Sequence, residues 1–297
     1  MQNREALSLE QERIMDSFEA YDLYHIGEIV DPKKFECPHD GCEAKGTLSS
    51  IKNRSERKQM PHFRFYGAHK QLCPYGNDYL GSDTEKVDTE SLENRTTSGV
   101  DILELDKFKR TVTTAGGGQS TGFDPNETKK RYRGNLLRAG NRDRNYYTIR
   151  VLVKKYEEYK VNGILPFRYL KIQGKKITYL MAFKEISDDA TLYPGVKQIY
   201  FGDAQISKNS KGDYVVSFEN EVYAEGEKIR PSAYISQTII DESYLKNQWR
   251  KELDELSESK ETSSIFILGS PRIHNSGTKK YLNITIERGR LDFVEML

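Results

Sequence analysis

Ile14 and Phe18 stand four residues apart, and Glu10, Glu12 and Asp16 surround them. That spacing predicts a helix over residues 8–18 with an acidic solvated face. The following run carries Tyr21, Leu23, Tyr24, Ile26, Ile29 and Val30 around Gly27. It reads as a bent strand or tight strand pair, because an isolated Gly in a strand-like run suggests a bulge or bend. Residues 47–51 and 62–66 read as two short strands joined by an exposed bend at 53–58. Past residue 81 the apolar periodicity fades: Asp83, Glu85, Asp88, Glu90 and Glu93 make an acidic run, and residues 102–105 suggest one short element. Gly116, Gly117 and Gly118 are not followed by the Gly-Lys-Ser/Thr of a phosphate-binding loop, so they read as a flexible linker.

Periodicity returns near Tyr146. Thr148 is placed to cap a helix in which Ile149, Leu152, Val153 and Tyr156 share a face. Strand-like segments follow at 164–171, 176–183, 196–206, 213–218 and 234–240, with turns at Gly174 and at residues 209–212. A second helix begins near Asp241 or Ser243 and repeats Leu245, Trp249, Leu253 and Leu256. Residues 265–268, 281–286 and 291–294 close the chain as strands. The fold class expected is α+β: a small treble-clef-like module over 1–80, a flexible linker over 81–145, and a mainly antiparallel β domain with two helices over 146–297. An OB-like or other small barrel is one arrangement open to these strands, whose order is not readable from sequence.

Composition changes this picture little. Charged residues are 31% and the net charge is +1, so the distribution of charge matters more than its sum. No apolar run approaches the ~18 residues of a membrane span, and no apolar segment follows the first charges as in a signal peptide. The expectation is a cytoplasmic protein without a membrane partner.

The cysteines change it more. All three, Cys37, Cys42 and Cys73, and three of the five histidines fall within residues 37–73. Thiolate and imidazole are the donors that Zn²⁺ prefers. Pro38 and Gly41 let the backbone turn between the first two thiols. His69 and Cys73, four apart, would share one face of a helical turn that Pro74 ends. The expected ligands are Cys37, Cys42, His69 and Cys73, with His62 as the rival for the third place. His39 would crowd the first two thiols. Four protein ligands leave no open position for water, so the expected role is structural. Disulfides fit poorly with an odd cysteine count.

Around this site lie Lys45, Lys52, Arg54, Arg57, Lys58, Arg64 and Lys70, interleaved with Phe63, Phe65 and Tyr66. Cations held on a metal-fixed hairpin would neutralise phosphates while aromatics stack on bases. The plainer alternative is that they only solubilise the module. A second basic run includes Lys129, Lys130, Arg131 and Arg133 and continues to Arg144; it reads as a solvated tether or a phosphate-contacting arm. Phe167, Tyr169, Tyr179, Phe183, Tyr193, Tyr200 and Phe201 would divide between core and a base-stacking platform beside Lys171, Lys175, Lys176 and Lys184. Catalytic signals are weak: the second domain has one histidine, His274, and no cysteine.

Gly27, Ile29, Val30, Cys37, Pro38, Cys42, Pro61, His62 and Phe63 together resemble the N-terminal zinc module of competence protein CoiA-like proteins. The resemblance covers the first quarter of the chain and implies action on DNA, with a nuclease domain following. The sequence departs from that pattern at Phe65, where a second His would stand. Its Glu-x-Lys matches, such as those at residues 43–45 and 258–260, fall in the zinc loop and a polar helix and not on buried strands. The expected function is a non-catalytic, zinc-stabilised nucleic-acid-binding component of a prokaryotic DNA-processing or defence system. Two other readings stay open: a divergent metal-dependent nuclease, and an assembly subunit whose zinc module contacts a protein partner.

Overall fold

The computed structural model describes residues 5–51, 61–71, 73, 75, 100–106, 124–136, 144–277 and 279–297. The fold class is α+β with mostly antiparallel sheets. The chain divides into two compact units: residues 1–147 with 171–173, and residues 148–170 with 174–297. Among the described residues no helix is long and apolar enough to cross a membrane.

The first unit is built on β1 (Glu5–Ser8), β2 (Arg13–Asp16), α1 (Ser17–His25), β3 (Phe35–Glu36), β4 (Lys45–Ser49) and β5 (His62–Tyr66). Its sheet runs β2-β1-β3-β4-β5, and every adjacent pair is antiparallel. The N-terminal helix expected over residues 8–18 is instead the β1–β2 hairpin, and the expected bent strand at 20–30 is helix α1. Both substitutions have one cause. Ala6, Leu7, Ser8, Ile14 and Met15 are all buried, so successive residues on both strand faces are covered and no alternation shows. Helix α1 is likewise buried nearly all round, at Phe18, Ala20, Tyr21, Leu23 and His25. Asp16 caps it by accepting from the Glu19 N–H at 2.8 Å. Gly27, at φ +81°, takes the left-handed position just past its end. Ala6, Met15, Ala20, Leu23, Ile29, Phe35, Leu48 and Phe63 form the core against which this sheet and helix pack.

Three further elements lie in the region expected to be a linker: β6 (Asp101–Leu103), α2 (Pro125–Leu136) and β7 (Arg144–Tyr146), with β6 parallel to β7. Arg144 pairs with Asp16 at 3.0 Å, and the Tyr147 N–H donates to the Asp22 carboxylate at 2.6 Å. The triple glycine lies outside the described residues.

The second unit opens with α3 (Ile149–Val161), capped by Thr148 as expected. A 3-10 turn (Leu165–Phe167), β8 (Tyr169–Ile172, whose last two residues count with the first unit), β9 (Lys175–Thr178), α4 (Tyr179–Ala182) and β10 (Phe183–Glu185) follow. Next come β11 (Gln198–Lys208), β12 (Tyr214–Phe218), the small hairpin β13 (Val222–Ala224) and β14 (Glu227–Ile229), and β15 (Pro231–Ile235). Helices α5 (Gln237–Asp241) and α6 (Lys246–Ser259) precede β16 (Ser263–Ser276), β17 (Lys279–Ile286) and β18 (Val294–Met296). The expected strand at 234–240 is thus split between β15 and α5, where the Ser236 side chain accepts from the Ile239 N–H. The β13–β14 hairpin is an addition to the expected strands; Glu225 and Gly226, both at positive φ, make its two-residue turn.

The strands close on themselves. β11 pairs with β12, β12 with β15, β15 in parallel with β17, β17 with β16, and β16 back with β11. A five-strand ring with one parallel pair, and helices between its third and fourth strands, has the order of an OB-type Greek-key barrel. Ile206, Val216 and Ala233 are buried and share one register line across three strands. The opposite side of the β11–β16 pair is buried too. There Phe201 stacks on Phe266 at 5.0 Å, and Tyr156 of α3 stacks on Phe183 at 4.1 Å. Trp249, Leu253 and Leu256 supply the buried face of α6.

Candidate metal centre

The loop between β3 and β4 is a tight knuckle. Register pairs Glu36 with Lys45, and just beyond them the Cys37 N–H donates to the Ala44 carbonyl at 2.8 Å. Within the loop the Cys42 N–H donates to His39 O at 3.0 Å, and Gly41 sits at φ +67°, a conformation that side chains rarely adopt. Cys37 and Cys42 therefore leave the knuckle as neighbours, and both are fully buried. Strand β5 pairs with β4 from Lys45↔Tyr66 to Ser49↔His62, which returns the chain to the knuckle. His69 and Cys73 follow it. Where a helical turn is expected, the Cys73 N–H bonds back to Lys70 O at 2.9 Å, while residues 72 and 74 lie outside the described residues.

The result is a cluster of three thiols and one imidazole whose donor atoms all lie within 4.8 Å of one another. Cys37 Sγ is 3.5 Å from Cys73 Sγ, Cys42 Sγ is 3.4 Å from His69 Nδ1, and Cys73 Sγ is 3.3 Å from His69 Nδ1. With bonds of ~2.3 Å to sulfur and ~2.0 Å to nitrogen, a tetrahedral ion would set its ligands ~3.8 Å apart for two sulfurs and ~3.6 Å for sulfur and nitrogen. These three separations are close to those edges, so the four residues could hold a metal ion. Phe65 meets the His69 ring edge-on at 5.6 Å and, with Tyr75, covers the cluster.

The thiols are electrostatically unequal. Burial, with added repulsion from the neighbouring thiols, pushes Cys37 up, and burial pushes Cys73 up as well. Burial acts the same way on Cys42, but the N–H groups of Ala44 and Lys70 and the neighbouring thiols outweigh it and hold that thiol below its usual value. Of the three, Cys42 is the thiol whose surroundings favour the thiolate form. Tyr75 is pushed up to about 12, mainly by burial.

Around the thiols lies an ion-pair system. Glu36 pairs with Lys45 at 2.7 Å and with Lys129 at 3.3 Å. Burial would raise this carboxyl, but the two ammonium groups outweigh it and hold Glu36 below the usual range. The Lys129 side chain is wholly buried, and its ammonium also donates to the Cys42 carbonyl at 2.7 Å. A residue expected in a solvated tether therefore contacts the backbone of one of the clustered cysteines. Sequence reasoning missed it; the only signal was a cation on a helix whose acidic partner lies 93 residues away.

His62, the rival ligand, is buried on β5 with Nε2 accepting from Arg64 Nε at 3.3 Å, outside the cluster. Arg64 and Lys70 are exposed, and Lys70 Nζ reaches the Asp40 carbonyl at 3.5 Å. Lys52, Arg54, Arg57 and Lys58 lie outside the described residues. Arg131 and Arg133 fall on α2. His274 is exposed on β16 opposite Tyr281. Of the seven aromatics weighed for a platform, Tyr179, Phe183, Tyr200 and Phe201 are buried, while Phe167, Tyr169 and Tyr193 are exposed. No protein-family model and no curated protein matches this chain.

Proposed function

We propose that this is a zinc-stabilised nucleic-acid-binding protein. The observation that carries the reading is the Cys37, Cys42, His69 and Cys73 cluster at the base of the β4–β5 hairpin. Three thiolates and an imidazole select zinc over harder cations, and four protein donors make the ion structural. Knuckle, hairpin and returning ligand turn follow a treble-clef plan. The ion's work is to hold the hairpin rigid. The segment joining paired Ser49 and His62 carries Lys52, Arg54, Arg57 and Lys58, and Arg64 is exposed on β5. Cations on a rigid support neutralise phosphates with less loss of side-chain and backbone freedom than cations on a free tether.

Two further points support this reading. The N-terminal segment resembles the zinc module of CoiA-like proteins, which act on DNA. The barrel of the second unit has a strand order used by many oligonucleotide binders, although fold alone does not fix function. The test is binding of labelled DNA and RNA to the metal-loaded chain across salt concentrations. Replacing Arg54, Arg57 and Lys58 together with Ala should weaken binding and flatten the salt dependence by roughly one unit for each phosphate no longer neutralised. Identical binding by parent and triple variant at every salt concentration would remove the hairpin as the binding surface.

A further inference from the structure

From Lys160 to Lys184 the chain contains Lys160, Arg168, Lys171, Lys175, Lys176 and Lys184, and no acidic residue. In a protein with 46 basic and 45 acidic residues this is a strongly one-signed stretch. The same stretch leaves large apolar side chains in solvent. Phe167 is 64% exposed, Met181 61%, Leu180 54% and Tyr169 44%.

The fold gathers these side chains. The Tyr179 N–H donates to the Arg168 carbonyl at 2.9 Å, which sets the start of α4 beside the 3-10 turn that carries Phe167. Tyr179 and Ala182 are the buried side of α4, and Tyr179 packs edge-on against Tyr159 at 5.0 Å. That anchoring turns Leu180 and Met181 outward. The Met181 carbonyl is held by the Gln198 side-chain amide at 2.7 Å, so the short helix is tied to β11. Lys176 Nζ lies 4.3 Å from the centre of the Tyr169 ring.

Exposed aromatic rings beside a row of cations, with no acid in the stretch, match the chemistry of a flexible polyanion with accessible π-faces. A duplex hides its base faces, so the rings would have nothing to stack on there. A bilayer would ask for a longer apolar helix face than the four residues of α4 supply. We propose that Phe167, Tyr169, Leu180 and Met181, with Lys175 and Lys176, form a single-stranded nucleic-acid-binding surface on the second unit. It rests on the nucleic-acid reading above and adds a surface separate from the metal-fixed hairpin. Phe167 stacks on a base, Leu180 and Met181 pack against the neighbouring base or sugar, and the lysines neutralise phosphates.

The experiment uses the full, metal-loaded chain and a fluorescein-labelled oligothymidylate of about 20 nucleotides, with a duplex of the same length as comparison. Phe167→Ala should lower single-strand affinity about tenfold, the scale of one missing base stack, and leave duplex affinity unchanged. Phe167→Trp should keep affinity, and its indole emission should be quenched on binding, against the one native Trp, which is buried. Lys175→Glu with Lys176→Glu should reduce the salt slope by one to two units, roughly one per phosphate. Unchanged single-strand affinity in Phe167→Ala and absence of quenching in Phe167→Trp would overturn the proposal. So would equal loss for single strand and duplex. Loss of binding to phosphatidylglycerol vesicles with oligonucleotide binding intact would overturn it too, and mark the patch as a membrane face. If the Arg54, Arg57 and Lys58 variant binds as the parent while Phe167→Ala does not, the hairpin reading fails and this one stands.

Discussion

The two units reach order by different means. The second closes a ring of five strands, so its chain buries both faces of β11 and β16 and builds an aromatic layer from Tyr156, Phe183, Phe201 and Phe266. The first has an open five-strand sheet with a compact apolar cluster, and beside it a second cluster made of Cys37, Cys42, Ala44 and Cys73. A metal ion held by four donors, or a buried ion pair, can fix a loop that apolar packing alone leaves loose. The barrel is stabilised by area removed from water; the knuckle gathers donor atoms around one point, and on the proposed reading a metal ion there would stabilise it. Damage to the two should therefore differ in size and in what restores it.

The largest expected effect follows metal removal. Structural zinc contributes on the order of 10 kcal/mol in small modules, so chelation or Cys42→Ser should unfold the region around β3, β4 and β5. Hydrogen exchange read by mass spectrometry should show that segment losing protection while β11, β12, β16 and β17 keep theirs. Protection lost evenly in both units would break the contrast. Next is Phe266→Ala, which opens a void in the stacked aromatic layer. It should cost ~3–5 kcal/mol in the barrel, measured by denaturant melting, with metal content unchanged.

Lys129→Met comes third. It keeps the methylenes but removes the ammonium from Glu36 and from the Cys42 carbonyl. Breaking a buried pair costs up to ~3–5 kcal/mol. The loss here should be nearer ~1–3 kcal/mol, since Lys45 still pairs with Glu36. Combining it with Glu36→Gln should recover part of the loss, because the carboxylate is no longer left short of a partner. Strict additivity in that double-mutant cycle would mean that the pairing is incidental.

How much of this is legible in the sequence depends on whether the signal is local. The clustering of Cys37, Cys42, His69 and Cys73 can be read because all three cysteines fall within residues 37–73, and chemistry limits what such a group is for. Helix α3 can be read because Thr148 stands at its cap and one face is apolar. The first two elements exchange their types, since β1, β2 and α1 are covered on more than one side and burial erases both periods. The ring order is not legible at all, as pairings such as Gln198↔Gly269 join residues far apart in sequence. Lys129 is hidden for the same reason: its helix is polar in composition, and its partner Glu36 belongs to another part of the unit.

The smallest effect tests the electrostatics of the barrel. Hydrogen bonds from Lys208 and then Tyr214 hold the Asp254 carboxyl below its usual value. A carboxyl lowered in the folded state adds stability above its unfolded value near 3.8, and that stability is lost as pH falls through the folded value. The group is partly exposed, so solvent screening keeps the contribution to ~0.2–1 kcal/mol. Asp254→Asn should lower stability slightly at neutral pH and flatten the acid limb of the melting curve. An unchanged acid limb would show that the pair contributes nothing.

The central claim, that four side chains of the first unit hold one structural zinc ion, is tested most directly by elemental analysis of the purified chain and its ligand variants. About one zinc per chain is expected in the parent, and close to none in Cys42→Ser or Cys73→Ser. His62→Ala should keep its zinc. A parent that folds its first unit without metal would contradict the account, as would full zinc retention in both cysteine variants.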